Sequence, residues 1–309
     1  MSSVQLSVVT TLYNSAATIR EFVRRSAAAA RALTDSFEIV AVDDGSPDES
    51  LAIALELMNQ EPRLKVVELS RNFGHHRALM TGLMHARGDD CFLIDSDLEE
   101  APELLEEFWR TQKQSGMDVV YGYQTERGGD FMRRVFGRLA WKVFDTLVPY
   151  RIPRNHVTAR LMNRAYVDAL LLHKEQQTAI GGLWVITGFR QIGVPVTKTS
   201  RRDATYSFGH RWRSLIETIT SFSELPLVGI FYLGIAISAL SALAAIALIA
   251  LRVMGRIGLA GWASVMVSLW FIGGILIFCV GIIGVYVSRI FIETKHRPYT
   301  IVRSVHPRD

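Results

Sequence analysis

The sequence predicts an α/β fold in which helices cover both faces of a mostly parallel sheet, continued by a pair of long apolar helices. Three observations predict it. Short apolar, β-branched runs alternate with helical stretches through the first 123 residues, and a polar cluster follows each of the first four runs. Two uncharged stretches, residues 225–251 and 257–288, then dominate the last part of the chain. With 309 residues, 49% of them hydrophobic and 21% charged, the chain is too apolar to remain disordered.

The strand-like runs fall at residues 6–11, 37–42, 64–69, 91–94 and 119–123, and the helical stretches at 16–33, 48–59, 75–87 and 102–114. Strand, helix, strand repeated in this way calls for crossover connections and therefore a parallel sheet. In such sheets ligands bind outside the carboxyl ends of the strands. The polar clusters fall there: Tyr13-Asn14, Asp43-Asp44-Gly45-Ser46, Ser70-Arg71-Asn72-Phe73-Gly74 and Asp95-Ser96-Asp97. Ser46 reads as a helix cap with Pro47 in the first helical position. That leaves Asp43 and Asp44 to accept hydrogen bonds from a base N–H or a ribose hydroxyl.

Asp95 and Asp97 are two apart, so in extended backbone both carboxylates point to one side. Paired carboxylates suit a hard cation, Mg²⁺ or Mn²⁺, that completes its shell with substrate phosphates. His75-His76 lacks a third ligand and does not make a zinc site. Cys91 and Cys279 are too far apart in sequence and too apolar in context for a disulfide framework, as in a reducing compartment.

Each uncharged stretch exceeds the roughly 20 apolar residues that cross a bilayer, so both are expected to span, at about 225–251 and 260–288. The connector at 252–256 forces a hairpin. Arg289, Lys295, Arg297, Arg303 and Arg308 after the second span, and Arg211 and Arg213 before the first, outnumber the two connector arginines, which places both termini on the cytoplasmic side. No signal peptide is expected at the start, since the first twelve residues lack a basic n-region. Residues 225–309 carry seven Lys/Arg and two Asp/Glu, leaving the first 224 at −1, so the pI of about 9.1 does not indicate a nucleic-acid partner. Between Arg127 and Arg164 nine Lys/Arg face only Asp130 and Asp145. Within that segment, residues 131–148 read as a basic amphipathic helix, suited to an anionic lipid leaflet or to packing on the core.

These residues resemble a family. Val8-Val9-Thr10-Thr11-Leu12-Tyr13-Asn14, Val42-Asp43-Asp44-Gly45-Ser46, Leu69-Ser70-Arg71-Asn72-Phe73-Gly74 and Asp95-Ser96-Asp97-Leu98 resemble, in order and spacing, the family 2 GT-A glycosyltransferases. The two C-terminal spans, Ser221-Phe222-Ser223 before Pro226-Leu227, and Lys295-His296-Arg297-Pro298 narrow the resemblance to the polyisoprenyl-phosphate type, to which dolichyl-phosphate mannose synthases belong. The resemblance implies a cytoplasmic GT-A domain over residues 1–224, a membrane part over 225–290 and a cytoplasmic tail over 291–309, in a multi-pass protein of the inner membrane. Relatives often read Asp-Phe-Arg-Leu where this chain has Thr158-Ala159-Arg160-Leu161.

Carried over position by position, the resemblance implies a nucleotide pocket of Thr11, Tyr13, Asn14, Asp43, Asp44, Arg71 and Asp95. It implies a metal set of Asp95, Asp97 and Glu99, the last standing where relatives commonly have Gln. Catalysis would involve Asp95, Asp97, Arg160 and Arg202, and the acceptor phosphate would meet Arg133, Arg134, Arg154, Arg201 and Arg202. The implied reaction is inverting transfer of one sugar from a nucleotide sugar, UDP-linked, to a polyprenyl phosphate of the undecaprenyl kind, with Mg²⁺ or Mn²⁺, for later use in the cell envelope. Membrane lipid is an expected partner, and a pair of spans is compatible with a homo-oligomer. Two alternatives stay open: transfer to another lipid or lipid-linked oligosaccharide, and an inactive membrane scaffold of the same fold.

Overall fold

A β-strand whose two faces are both covered buries every side chain, and Leu6–Leu12 does so: all seven residues of β1 are buried, polar Ser7, Thr10 and Thr11 among them. The computed structural model describes residues 4–124, 155–175, 180–197, 225–254 and 261–307. Described residues up to 197, together with 297–307, form one unit, and 225–254 with 261–296 form a second. The amphipathic stretch expected at 131–148 lies outside the described residues.

In the first unit β1 (Leu6–Leu12), β2 (Phe37–Asp43), β3 (Leu64–Leu69), β4 (Asp90–Leu93) and β5 (Val119–Tyr123) follow the expected order. They alternate with α1 (Ile19–Arg31), α2 (Ser50–Leu57), α3 (His75–His85) and α4 (Leu104–Ser115). Next come β6 (His156–Asn163), α5 (Arg164–Leu170), α6 (Ile180–Ile186) and β7 (Gln191–Pro195). After the second unit the chain returns as β8 (Val302–His306). Among the described residues the sheet runs β7-β5-β6-β4-β1-β2-β3-β8. β1 pairs parallel with β2 and β4, β2 with β3, and β5 with β7, whereas β6 and β8 are antiparallel to their neighbours.

Leu6, Val8 and Leu12 of β1 join a core with Phe22 of α1, Phe92 of β4 and Phe108 of α4. Phe92 and Phe108 meet edge to face with centroids 6.0 Å apart. Each such buried side chain contributes about 1.5–3 kcal/mol. On the opposite face α3 lies so close that a Cβ on Gly82 would come within 2.5 Å of Val9 Cγ1.

One helix start differs from expectation. α2 begins at Ser50, and Asp48 rather than Ser46 closes the turn before it. The Asp48 carboxylate accepts from the Ser50 amide at 3.1 Å, the Ser50 hydroxyl at 2.5 Å and the Ala16 amide at 3.0 Å. A carboxylate that bonds the backbone two residues on offers the chain a turn in place of helix.

The second unit holds α7 (Leu225–Val253) and α8 (Trp262–Thr294). Within α8, Ser268–Thr294 has a mean hydropathy of 2.5, and by length and composition it alone among the described residues suffices to cross a membrane. In α7 the described apolar stretch is shorter, Leu227–Ser241. The apolar side chains of α8 face outward, Trp270 at 79% exposure and Ile277 at 76%.

Candidate active site

With β2 on one side of β1 and β4 on the other, the strand order reverses at β1, and α/β sheets open a ligand crevice at such a point. The loops leaving the carboxyl ends of β1, β2, β3 and β4 therefore meet above the β1–β4 pair. Their contacts with one another are specific. Ser96 donates through its hydroxyl to the Thr11 carbonyl at 2.7 Å, and its Oγ lies 3.0 Å from Ser15 Oγ. The Ser15 amide donates to Ser50 Oγ at 2.8 Å, so buried serines bind the β1 loop to both neighbours.

Asp43 and Asp44 are both buried but differ in use. The two oxygens of Asp44 accept from the amides of Phe73 and Gly74 at 2.7 and 3.0 Å, holding the β3 loop and the start of α3. Gly45 permits this closure. Its φ is +64°, and a Cβ there would stand 2.6 Å from the Asn72 amide nitrogen. Asp43 Oδ1, by contrast, is buried with no hydrogen-bond partner. Burial pushes both carboxyls above the ordinary aspartate range.

Thr11 is buried at the end of β1, whereas Tyr13 and Asn14 are exposed on the loop, Asn14 with φ +55°. Arg71 folds over its own loop, its guanidinium 4.0 Å from the Phe73 ring centroid and bonded to the Asn72 carbonyl at 2.8 Å.

His75, at the start of α3, joins the two sides of the crevice. Its Nδ1 lies 3.1 Å from Thr11 Oγ1 and its Nε2 lies 3.4 Å from Asp95 Oδ1. An ionised carboxylate only accepts, which assigns the ring proton to Nε2 and makes Nδ1 the acceptor of the Thr11 hydroxyl. Loss of surrounding water lowers the histidine pKa, although 45% of the side chain stays exposed. In the sequence His75 stood out only as half of a His pair, and the signal that marks it is its place directly after Gly74 at a helix start.

Among the described residues no three His, Cys, Asp or Glu side chains converge. β4 ends at Leu93, and the chain turns at Ser96 and Asp97 before Leu98 at φ +62°, so strict alternation of side chains has stopped before Glu99. Asp97 is exposed and its Oδ1 accepts from the Glu99 amide at 2.9 Å. Half-buried Asp95 and exposed Asp97 still offer hard oxygen donors, which fit a cation that draws its remaining ligands from phosphates and water.

Arg160 pairs with Leu93 across β4 and β6, two residues below Asp95, and is only 2% exposed. Its guanidinium stacks on Trp184, its Nε and Nη1 have no hydrogen-bond partner, and burial lowers its pKa to about 9. Next to it the Ala159 amide donates to buried Glu100 at 2.7 Å, which ties β6 to the turn after Asp97. Neither Glu100 nor Ser15 and Ser50 carried a sequence signal, because their roles depend on contacts between loops. Arg133, Arg134, Arg154, Arg201 and Arg202 lie outside the described residues.

The family model for glycosyl transferase family 2 matches residues 7–171, which contain this whole crevice. A Mycobacterium tuberculosis protein assigned to the glycosyltransferases is 48% identical over 99% of this chain and 89% of its own length. A bactoprenol glucosyl transferase of Shigella phage SfV is 30% identical over 86% of this chain and 88% of its own. The fold is also that of a mannosyltransferase from Pyrobaculum calidifontis solved with GDP-Man and Mn²⁺, which aligns over 94% of this chain and 86% of its own with a TM-score of 0.50 and 19% identity. The chain belongs to glycosyl transferase family 2 and is a glycosyltransferase.

Proposed function

We propose that the protein transfers one sugar from a UDP-linked donor to a polyprenyl phosphate, with inversion, at the cytoplasmic face of the inner membrane. The observation that carries this reading is the presence, in one chain, of a carboxylate-lined crevice at a topological switch point and a helix apolar enough to cross a bilayer. The bactoprenol substrate of its phage relative supports the same acceptor class.

In this reading Asp43 receives the base N–H or a ribose hydroxyl, Thr11 and His75 line the diphosphate side, and Asp95 and Asp97 hold Mg²⁺ or Mn²⁺. A cation held by Asp95 and Asp97 would supply positive charge against the departing diphosphate. The acceptor is a phosphate monoester, whose second pKa near ~6 leaves it largely dianionic at neutral pH. A strong general base is therefore unnecessary. A phosphate oxygen attacks the anomeric carbon from the face opposite the diphosphate, the new C–O bond forms as the old one breaks, and UDP leaves with the bonding pair. Arg201 and Arg202, with Arg133, Arg134 and Arg154, supply positive charge for the lipid phosphate. Arg160, buried under Trp184, supports the wall between donor and acceptor.

A two-span hairpin is supported by chain parity. β7 and β8 share one sheet, so the described residues of these two strands, which flank the apolar helices in the sequence, lie on one side of any membrane. A crossing by α8 thus requires a return crossing, and α7 is the helix that connects to it.

The reading is tested by UDP release from a panel of UDP-sugars, with Mn²⁺, in the presence and absence of undecaprenyl phosphate. Release that depends on the lipid phosphate is expected. Release unaffected by it would contradict the acceptor assignment.

A further inference from the structure

The last residues of the chain return from α8 to the sheet and meet the helix that carries His75. β8 pairs antiparallel with β3, Val67 opposite Val305 and Leu69 opposite Val302, and the Ser70 amide donates to the Ile301 carbonyl at 2.9 Å. Just before β8, Thr300 Oγ1 lies 2.8 Å from Thr81 Oγ1 in the middle of α3. One turn earlier on α3, Arg77 donates to the Tyr299 carbonyl at 3.4 Å, and its guanidinium sits 5.5 Å from the Tyr299 ring centroid. At the start of α3, Gly74 is held by Asp44, and His75 reaches Thr11 and Asp95. α3 is therefore fixed at its donor-site end by Asp44 and along its flank by residues 299–300.

We propose that Tyr299 and Thr300 are positioning residues for the donor site, holding α3 so that His75 stays against Thr11 and Asp95. This rests on the reading of that crevice as the nucleotide-sugar site. Only four residues separate Thr294, the last of α8, from Tyr299.

A purified full-length chain in detergent, titrated with UDP and GDP in the presence of Mn²⁺ by calorimetry, tests the proposal. Thr300→Val keeps shape but removes the hydroxyl contact, and is expected to weaken nucleotide binding about tenfold and raise donor KM with kcat little changed. Thr300→Ser restores the contact and should bind as the wild type does. Thr81→Val combined with Thr300→Val should be no worse than either alone, as for a coupled pair. Arg303→Ala removes an ion pair with Glu68 on β3 rather than a contact to α3, and should leave binding unchanged. If Thr300→Val does not fold, Tyr299→Leu, which removes the ring beneath Arg77, takes its place with the same expectation. Wild-type affinity in these variants, or equal weakening by Arg303→Ala, would overturn the positioning role alone. A wild-type chain that binds neither nucleotide would overturn the donor-site reading and this proposal with it.

Discussion

β1 and α8 use the same side-chain chemistry to opposite ends. Leu6, Val8, Val9 and Leu12 are wholly buried in the sheet, whereas Trp270, Phe271 and Ile277 stand largely exposed on a helix of 33 residues. The first unit is stabilised by removing apolar surface from water, and the second presents apolar surface outward. In the proposed reading catalysis belongs to the first and membrane location to the second, so substitutions in the two should separate cleanly.

The largest separation is expected at Asp97. Asp97→Ala should lower lipid-dependent UDP release by about 10²–10³, the scale of a lost electrostatic stabiliser, while membrane extraction stays unchanged. Retained turnover would remove Asp97 from the cation site. Next in size is a matched pair of truncations. Phe92→Ala in the sheet core should cost about 3–5 kcal/mol in thermal or denaturant unfolding of the first unit. Phe278→Ala on α8 should leave that transition in place, and equal effects would break the distinction between the units. Ile277→Arg should disfavour membrane insertion by about 2.5–3.5 kcal/mol, read as the fraction integrated into vesicles, without altering UDP affinity in detergent.

The smallest effect concerns pH. Burial raises the Asp43 pKa, so the folded chain holds this proton more tightly than the unfolded chain. The stability it carries is complete below the unfolded value of about 3.9 and is lost as pH rises through the raised folded value. Asp43→Asn avoids that loss. Its Tm relative to the wild type should therefore rise between pH 4 and pH 7, by about 2–4 °C for 1 kcal/mol, while UDP binding weakens. A parallel pH profile would show that burial of this carboxylate carries no such cost.

Much of the first unit was legible because its strands leave a mark: a short, mostly apolar, β-branched run, closed in the first four by a polar cluster. β1 to β5 and the four helices among them follow from that mark. β6 and β8 do not, because an antiparallel strand set among parallel ones is defined by its partners rather than by its own pattern. β8 lay in a segment that read as a tail, since Val302-Arg303-Ser304-Val305-His306 acquires its order by pairing with β3. At the site, the aspartates were visible as polar residues after strands, but their division of labour was not. Asp44 bonds amides some thirty residues on, and Glu100 bonds one nearly sixty residues on, at distances over which local spacing has no authority. The turn after Asp95 likewise depends on the left-handed backbone at Leu98, which nothing in the motif announces.

The most direct test is mass spectrometry of the lipid fraction after incubating the purified protein and Asp97→Ala with undecaprenyl phosphate, Mn²⁺ and UDP-sugars. A lipid heavier by one sugar residue, made by the wild type and absent with Asp97→Ala, is the expected result. Unmodified undecaprenyl phosphate alongside consumed nucleotide sugar would contradict transfer to a polyprenyl phosphate.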